Sequence, residues 1–81
     1  MVIYTKIWCG YCTRAKDLLA RKGVAFTEVE ISDDDVLRDV MIERAGGRQT
    51  VPQIFVGETH VGGCDDLYKL EAEGRLDGLL G

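Results

Sequence analysis

Two cysteines three positions apart, Cys9 and Cys12, lie where an apolar run ends and a helical pattern begins. Residues 2–7 predict a strand and residues 13–20 a helix. This junction places the first sulfur at a helix N-terminus, where unpaired N–H groups and the helix dipole favour an anion. A thiolate is such an anion, and it is the form of cysteine that attacks disulfides. The spacing therefore predicts a redox dithiol on a strand–helix unit.

A Cys-x-x-Cys pair can also belong to a structural zinc site, but such sites commonly draw four ligands from two pairs of this kind. The other candidate ligands, His60 and Cys64, are far from the pair in sequence. The strand-to-helix context therefore favours redox chemistry. We interpret Cys64 as a small structural residue and His60 as a strand residue without a role.

Charge and cysteine count narrow the class of protein further. The 81-residue chain has a net charge of −4, whereas nucleic-acid binders are basic. Residues 1–22 nevertheless carry five basic side chains against one acidic one, and this basic segment contains the cysteine pair. Its positive charge favours a thiolate or an anionic thiol substrate. An odd number of cysteines, no signal-peptide pattern and no apolar run of about 20 residues predict a cytoplasmic protein with one domain, residues 1–81.

Strand and helix patterns alternate after the cysteine pair. A helix is expected over residues 10–22 with Gly23 as its stop, and residues 26–31 predict a half-exposed edge strand. Ser32, followed by three aspartates, predicts the N-cap and first turn of a second helix rather than a metal site. That helix shows apolar residues at helical spacing and a terminal glycine pair: Val36, Leu37, Val40, Met41, Ala45 and then Gly46-Gly47.

The last third of the chain predicts a hairpin and a helix. Residues 53–56 and 59–61 flank Gly57-Glu58, a two-residue turn of the Gly-X type. A helix from residue 64 or 65 to residue 73 should stop at Gly74, with a short helical turn over residues 76–80. The order βαβαββα predicts an α/β fold whose mixed four-stranded sheet carries helices on both faces, with its first two strands parallel.

Pro52 is the only proline of the chain, and it directly precedes the third strand pattern. A proline at the start of a strand is ordinarily trans. In a redox dithiol fold, however, a Val-Pro bond that faces the two cysteines is expected to be cis. That geometry would turn the backbone of Val51 outwards, where it can pair with a substrate peptide.

Three separated motifs together resemble the glutaredoxins, of the short bacterial glutaredoxin 3 type, over essentially the whole chain. The resemblance implies a thioredoxin-like fold with sheet order 2-1-3-4. It also implies a monomeric, glutathione-dependent thiol–disulfide oxidoreductase that reduces protein disulfides and protein–glutathione mixed disulfides. The motifs are Lys6-x-x-Cys9-Gly10-Tyr11-Cys12, Thr50-Val51-Pro52-Gln53-Ile54-Phe55 and Gly62-Gly63-Cys64-Asp65-Asp66-Leu67.

The resemblance implies a role for each matching residue. Cys9 would be the nucleophile and Cys12 the resolving thiol. Lys6 would meet the glycyl carboxylate of glutathione, and Tyr11 would shelter its sulfur. The remaining contacts would be Val51 before cis-Pro52, paired with the cysteinyl backbone beside Thr50, and Gly63, Cys64, Asp65 and Asp66, where a helix N-terminus and an aspartate receive the γ-glutamyl group.

Two positions depart from the family's frequent Cys-Pro-Tyr-Cys pattern, since Gly10 replaces the proline and Trp8 precedes the pair as in thioredoxins. Trp8 is expected to pack against the protein. One alternative is a thioredoxin-like protein reduced by a flavoprotein, which Trp8 and Gly10 favour and against which Lys6 and Gly63-Cys64-Asp65 argue. The other is a carrier or sensor in which a dimer holds a [2Fe–2S] cluster with Cys9 of each subunit and two glutathione thiols, which a small residue at position 10 would permit.

Overall fold

Four strands and four helices make up residues 1–80, the part of the chain that the computed structural model describes. In chain order they are β1 (Val2–Thr5), α1 (Gly10–Arg21), β2 (Thr27–Glu30), α2 (Asp35–Arg44), β3 (Gln53–Val56), β4 (Thr59–Gly62), α3 (Cys64–Ala72) and α4 (Leu76–Leu80).

The four strands form one mixed sheet in the order β2-β1-β3-β4. β1 pairs with β2 in parallel and with β3 antiparallel, and β3 pairs antiparallel with β4. The parallel pair is joined through α1, as a crossover connection requires. The predicted α/β thioredoxin-like fold, its sheet order and the edge position of β2 are therefore confirmed.

Each face of the sheet carries its own apolar cluster, because successive strand side chains point to opposite faces. Ile3 and Ile54 lie in the cluster shared with α1, α3 and α4, whereas the adjacent Tyr4 and Phe55 lie in the cluster shared with α2. Helices therefore cover both faces, as predicted. α1 contributes four buried residues to its side of the sheet: Cys12, Ala15, Leu18 and Leu19.

The start of the second helix differs from the prediction. Asp34, not Ser32, is the N-cap of α2, and its carboxylate accepts the Leu37 N–H at 2.9 Å. Ser32 instead accepts the N–H of Ile7 through its hydroxyl at 2.8 Å. Several consecutive residues with side-chain oxygens could each have served as the cap. The connection back to the segment after β1 occupies Ser32, and the helix begins two residues later.

The glycine stops are where the sequence predicts them. α1 ends at Arg21 and Gly23 follows with φ 69°, while Gly46 follows α2 with φ 65°. Both angles are in the left-handed region that glycine adopts without a steric penalty.

β2 is shorter at both ends than the predicted strand. The longest of the described helices, α1, has 12 residues, and none is long and apolar enough to cross a bilayer.

Candidate active site

Cys9 is the N-cap of α1, with extended backbone angles (φ −108°, ψ 107°). Its sulfur accepts a hydrogen bond from the Cys12 N–H at 3.2 Å, in the place where a serine or aspartate oxygen usually caps a helix. The side chain is half-buried, so solvent reaches it. The sulfur therefore faces the backbone N–H groups and the positive end of the α1 dipole.

Cys12 lies one helical turn further along and is buried, with 1% of its surface exposed. Burial, and secondly its hydrogen bond with Cys9, raise the pKa of the Cys12 thiol from 9.0 to about 12. A hydrogen bond with the backbone of Lys6 acts in the opposite direction but does not offset this. The two sulfurs of the dithiol are therefore chemically unlike, with one accessible and the other held protonated.

The loop before β3 approaches the dithiol from a distant part of the chain. The Val51–Pro52 peptide bond is cis, as expected for a proline that faces a dithiol. The thiol of Cys9 donates to the carbonyl oxygen of Val51 at 3.9 Å, across 42 positions of sequence. The fold thus brings the first and second motifs together at the N-terminus of α1.

A cleft of about 360 Å³ opens beside this contact. It unites residues from all three sequence motifs, including eight of those predicted to bind glutathione. Lys6 is half-buried and is not among the lining residues. The lining residues are Tyr11, Arg48, Thr50, Val51, Pro52, Gly63, Cys64, Asp65 and Asp66.

The N-terminus of α3 forms the far wall of the cleft and is held by Asp66. The carboxylate of Asp66 accepts the Gly63 N–H at 2.8 Å and pairs with Arg48 at 3.0 Å. The Gly63 N–H and, less strongly, Arg48 hold the pKa of Asp66 below its usual value. Gly62 makes this possible, since a Cβ there would lie 2.3 Å from the Asp66 carboxylate oxygen. Asp65, by contrast, is exposed at the cleft.

Arg48 is the cleft residue that the sequence analysis missed. It is exposed, lies in the loop between α2 and β3, and reaches Asp66 of the third motif. Its position two residues before the Thr50-Val51-Pro52 motif was an available signal, since a cation beside a predicted anion site is informative. Lys16, one of the basic residues of α1, forms an ion pair with Glu28 at 3.0 Å, which offsets its positive charge.

Trp8 does not pack as predicted, since 98% of its surface is exposed. Its φ of 58° lies in the left-handed region, which is uncommon for a residue with a side chain. Ile7 and Tyr11 are also more than half exposed, so three large apolar side chains within two residues of Cys9 in sequence face solvent. Cys64 is buried at the start of α3, in agreement with a structural side chain, and burial raises the pKa of its thiol.

Comparison with known proteins finds glutaredoxins as relatives along nearly the whole chain. A family model for glutaredoxins matches residues 1–61. A glutaredoxin of Pseudomonas aeruginosa is 58% identical over 80 residues, covering 99% of this chain and 94% of that protein. Glutaredoxin 3 of Escherichia coli strain K12 is 58% identical over 78 residues, covering 96% and 93% of the two chains.

Solved structures agree with the sequence relatives. A buckwheat glutaredoxin–glutathione complex superposes with a TM-score of 0.88 at 34% identity, covering 98% of this chain and 74% of that one. A structure reported as "Metal Binding of Glutaredoxins" has a TM-score of 0.73 at 59% identity, covering 98% and 85%. With the dithiol at a helix N-terminus beside a cis-proline cleft, these matches show that the chain belongs to the glutaredoxin family of glutathione-dependent oxidoreductases.

Proposed function

We propose that this glutaredoxin uses glutathione to reduce protein–glutathione mixed disulfides and protein disulfides, with Cys9 as nucleophile. The observation that carries the proposal is the placement of the Cys9 sulfur. It accepts the Cys12 N–H at 3.2 Å and lies 3.9 Å from the carbonyl oxygen of Val51, which lines the cleft. An accessible, N–H-stabilised sulfur next to a strand-like backbone suits attack on a disulfide held in extended form.

Deglutathionylation would need Cys9 alone. Its thiolate attacks the glutathione sulfur of the mixed disulfide, a Cys9–glutathione disulfide forms, and the protein thiolate leaves with the electron pair and takes a proton. A second glutathione thiolate then attacks the glutathione sulfur bound to Cys9. Oxidised glutathione forms, and Cys9 leaves as the thiolate, which the N-terminus of α1 stabilises as a leaving group.

Reduction of a protein disulfide would need both cysteines. Cys9 attacks one sulfur of the substrate, and the Cys12 thiolate then displaces the substrate from Cys9 and leaves a Cys9–Cys12 disulfide. Two glutathione molecules reduce that disulfide and become oxidised glutathione. The deep burial of Cys12 supports this order of events, because the Cys12 sulfur is shielded from external disulfides but lies one helical turn from Cys9.

The cleft supports a specific placement of glutathione. The N-terminus of α3 suits the γ-glutamyl carboxylate, and a neighbouring aspartate suits its ammonium. We assign the ammonium to Asp65, since the Asp66 carboxylate is already engaged by a backbone N–H and by Arg48. Lys6, half-buried on the approach to α1, is proposed for the glycyl carboxylate, with Tyr11 beside the glutathione sulfur.

The test is a turnover assay with glutathione, NADPH and glutathione reductase on two substrates, a glutathionylated peptide and a disulfide-bonded protein. Cys9→Ser should abolish both activities, whereas Cys12→Ser should keep the first and lose the second. Val36→Ala, an exposed change on α2, serves as the control. If Cys12→Ser also lost activity on the glutathionylated peptide, the one-cysteine route would be refuted. Turnover only with a flavoprotein thioredoxin reductase would support the thioredoxin-like alternative.

A second candidate function is a [2Fe–2S] carrier or sensor. Such a cluster needs four ligands, and no group of three or more metal-binding side chains occurs within residues 1–80. One chain offers the accessible Cys9 sulfur, so a dimer and two glutathione thiols would complete the set. Gly10 favours this function, because it places no side chain beside Cys9 at the first position of α1 and nothing lies within 4 Å of where its Cβ would be.

Anaerobic reconstitution with iron, sulfide and glutathione tests the carrier role by visible absorbance and size exclusion. Gly10→Pro should prevent formation of the coloured dimer, whereas Gly10→Ala should preserve it. Proline is tolerated at the first position of a helix, so Gly10→Pro is expected to fold. A colourless monomer from the unmodified protein would refute the carrier role.

We further propose that residues 1–81 form one domain that works in a reducing compartment such as the cytoplasm. Two features support this. Both apolar clusters draw residues from β1 and β3 of the same sheet, and all three cysteines are free thiols.

A further inference from the structure

A chain of hydrogen bonds leads from β4 to the cleft through a fully buried amide. Gln53, the first residue of β3, has none of its surface exposed. Its Nε2 donates to the Thr50 carbonyl at 3.0 Å and to the Thr50 hydroxyl oxygen at 3.2 Å. Its Oε1 lies 2.7 Å from Nε2 of His60. The chain therefore ends on the residue that precedes Val51 and cis-Pro52.

The carbonyl oxygen of Thr50 determines the direction of every hydrogen bond in this series. A carbonyl can only accept, so the NH₂ end of the Gln53 amide must face Thr50. The amide oxygen then faces His60, and the imidazole must carry a proton on Nε2. Burial chiefly, and then the charge of Arg48, lower the pKa of His60, while Asp66 acts in the opposite direction. A neutral ring therefore has its one proton on Nε2.

The same logic leaves the Thr50 hydroxyl with one free proton. Its oxygen accepts from Gln53, so its O–H is available to donate. Thr50 is exposed and lines the cleft beside Val51. Hydrogen bonds in such a chain polarise one another, so each N–H strengthens the next donor. The end of the chain is thus an oriented O–H donor at the substrate site.

The ring of His60 is itself held in place. It stacks on Phe55 with ring centroids 4.9 Å apart and an interplanar angle of 22°. Phe55 is His60's partner in the β3–β4 register, and Gln53 lies two residues earlier on the same face of β3. The sheet therefore sets the distance between His60 and Gln53. Gln53 in turn holds Thr50, in the loop before β3, through two hydrogen bonds.

We propose that Gln53 and His60 are positioning residues that orient the Thr50 hydroxyl as a donor to an acceptor group, a carboxylate or carbonyl, of the bound tripeptide thiol. This rests on the proposed use of glutathione. His60 acts at a distance through Thr50, so removing it should affect substrate affinity and leave the chemistry at Cys9 unchanged.

The test measures KM for glutathione and kcat on a glutathionylated peptide for a pair of changes and their combination. His60→Phe keeps a stacking ring but removes the N–H donor, and Thr50→Val removes the hydroxyl and keeps the shape. Each should raise KM about five-fold, as for one lost hydrogen bond, with kcat within two-fold. The double variant should be no worse than Thr50→Val alone, because His60 acts through that hydroxyl. Thr59→Val, a matched change at the exposed first residue of β4, should leave both constants unchanged.

An unchanged KM in folded His60→Phe, or additive effects in the double variant, would overturn the proposal. A measurement on the unmodified protein covers the case in which His60→Phe fails to fold. NMR should show a neutral His60 ring protonated at Nε2, and Gln53 amide protons that exchange slowly and shift when glutathione is added. An Nδ1–H tautomer or a fast-exchanging amide would refute the chain, whereas absence of glutathione-dependent turnover in the unmodified protein would refute the proposed function instead.

Discussion

Replacing Cys9 by serine should leave a protein with two thiols and no thiol-transfer activity. The reason is the protonation of Cys12, whose pKa is raised to about 12 chiefly by burial. At pH 7 a thiol of pKa 12 is about 10⁻⁵ thiolate, whereas one at the unperturbed 9.0 is about 10⁻² thiolate. The hydrogen bond and charge of Cys9 also raise this pKa, but burial, the largest cause, is unchanged by the substitution. Cys12 should therefore react more slowly than an ordinary thiol, by up to about a thousand-fold.

Alkylation by iodoacetamide, followed by mass spectrometry across pH 6 to 11, measures this directly. The unmodified protein should take up one label rapidly at pH 7, at Cys9, because Cys64 is also buried. Cys9→Ser should take up none on the same timescale and should show less than about 1% of the transfer activity. Labelling of Cys12 at the rate of a free thiol, or substantial activity in Cys9→Ser, would refute the assignment of the two roles.

Three further outcomes are expected. Gly62→Ala should lower the free energy of unfolding in urea by about 2–4 kcal/mol. The φ of Gly62 is 117°, and the new Cβ would displace the Asp66 carboxylate from the Gly63 N–H. A loss smaller than about 1 kcal/mol would contradict this. The pKa values of Asp66 and Glu28 are lowered by a backbone N–H and by a buried hydroxyl respectively. The stability that these two carboxylates contribute is therefore fully present above their unfolded pKa values of 3.8 and 4.5, and it is lost as pH falls through their lowered pKa values in the folded protein. Asp66→Asn should reduce this loss of stability at acid pH. Trp8→Gly should not reduce stability, since the side chain is exposed and glycine tolerates a φ of 58°. It should raise KM for protein disulfides more than KM for a glutathionylated peptide. An equal effect on both substrates would argue against a contact between Trp8 and protein substrates.

Most of the fold follows from local patterns that are strong in this chain. Glycines at the helix ends, the Gly57-Glu58 turn and the apolar run that forms β1 each have a direct physical meaning, and the structure agrees with them. The start of α2 could not be predicted, because Ser32 and the aspartates after it are equally good caps. A tertiary contact, the bond from the Ile7 N–H to the Ser32 hydroxyl, decided between them.

The candidate site was predictable where a motif carries its own chemistry. The position of Cys9 at a helix N-terminus and the helix start at Cys64 could be predicted from the sequence, because backbone dipoles act locally. The contact of Arg48 with Asp66 and the exposure of Trp8 depend on long-range packing that no local pattern reports. His60 was given no role because its partner, Gln53, is reached only through the β3–β4 register.

The two cysteines share one helical turn but experience opposite environments, and this suggests how the second step is timed. Two of the causes that raise the Cys12 pKa, a hydrogen bond and a charge, come from Cys9 itself. In a mixed disulfide Cys9 can carry no charge, so the Cys12 pKa should fall and more Cys12 thiolate should form when there is a disulfide bond to resolve. Stopped-flow measurement of Cys9–Cys12 disulfide formation from the glutathionylated protein, as a function of pH, should give an apparent pKa below 12. An unchanged value would show that burial alone controls Cys12.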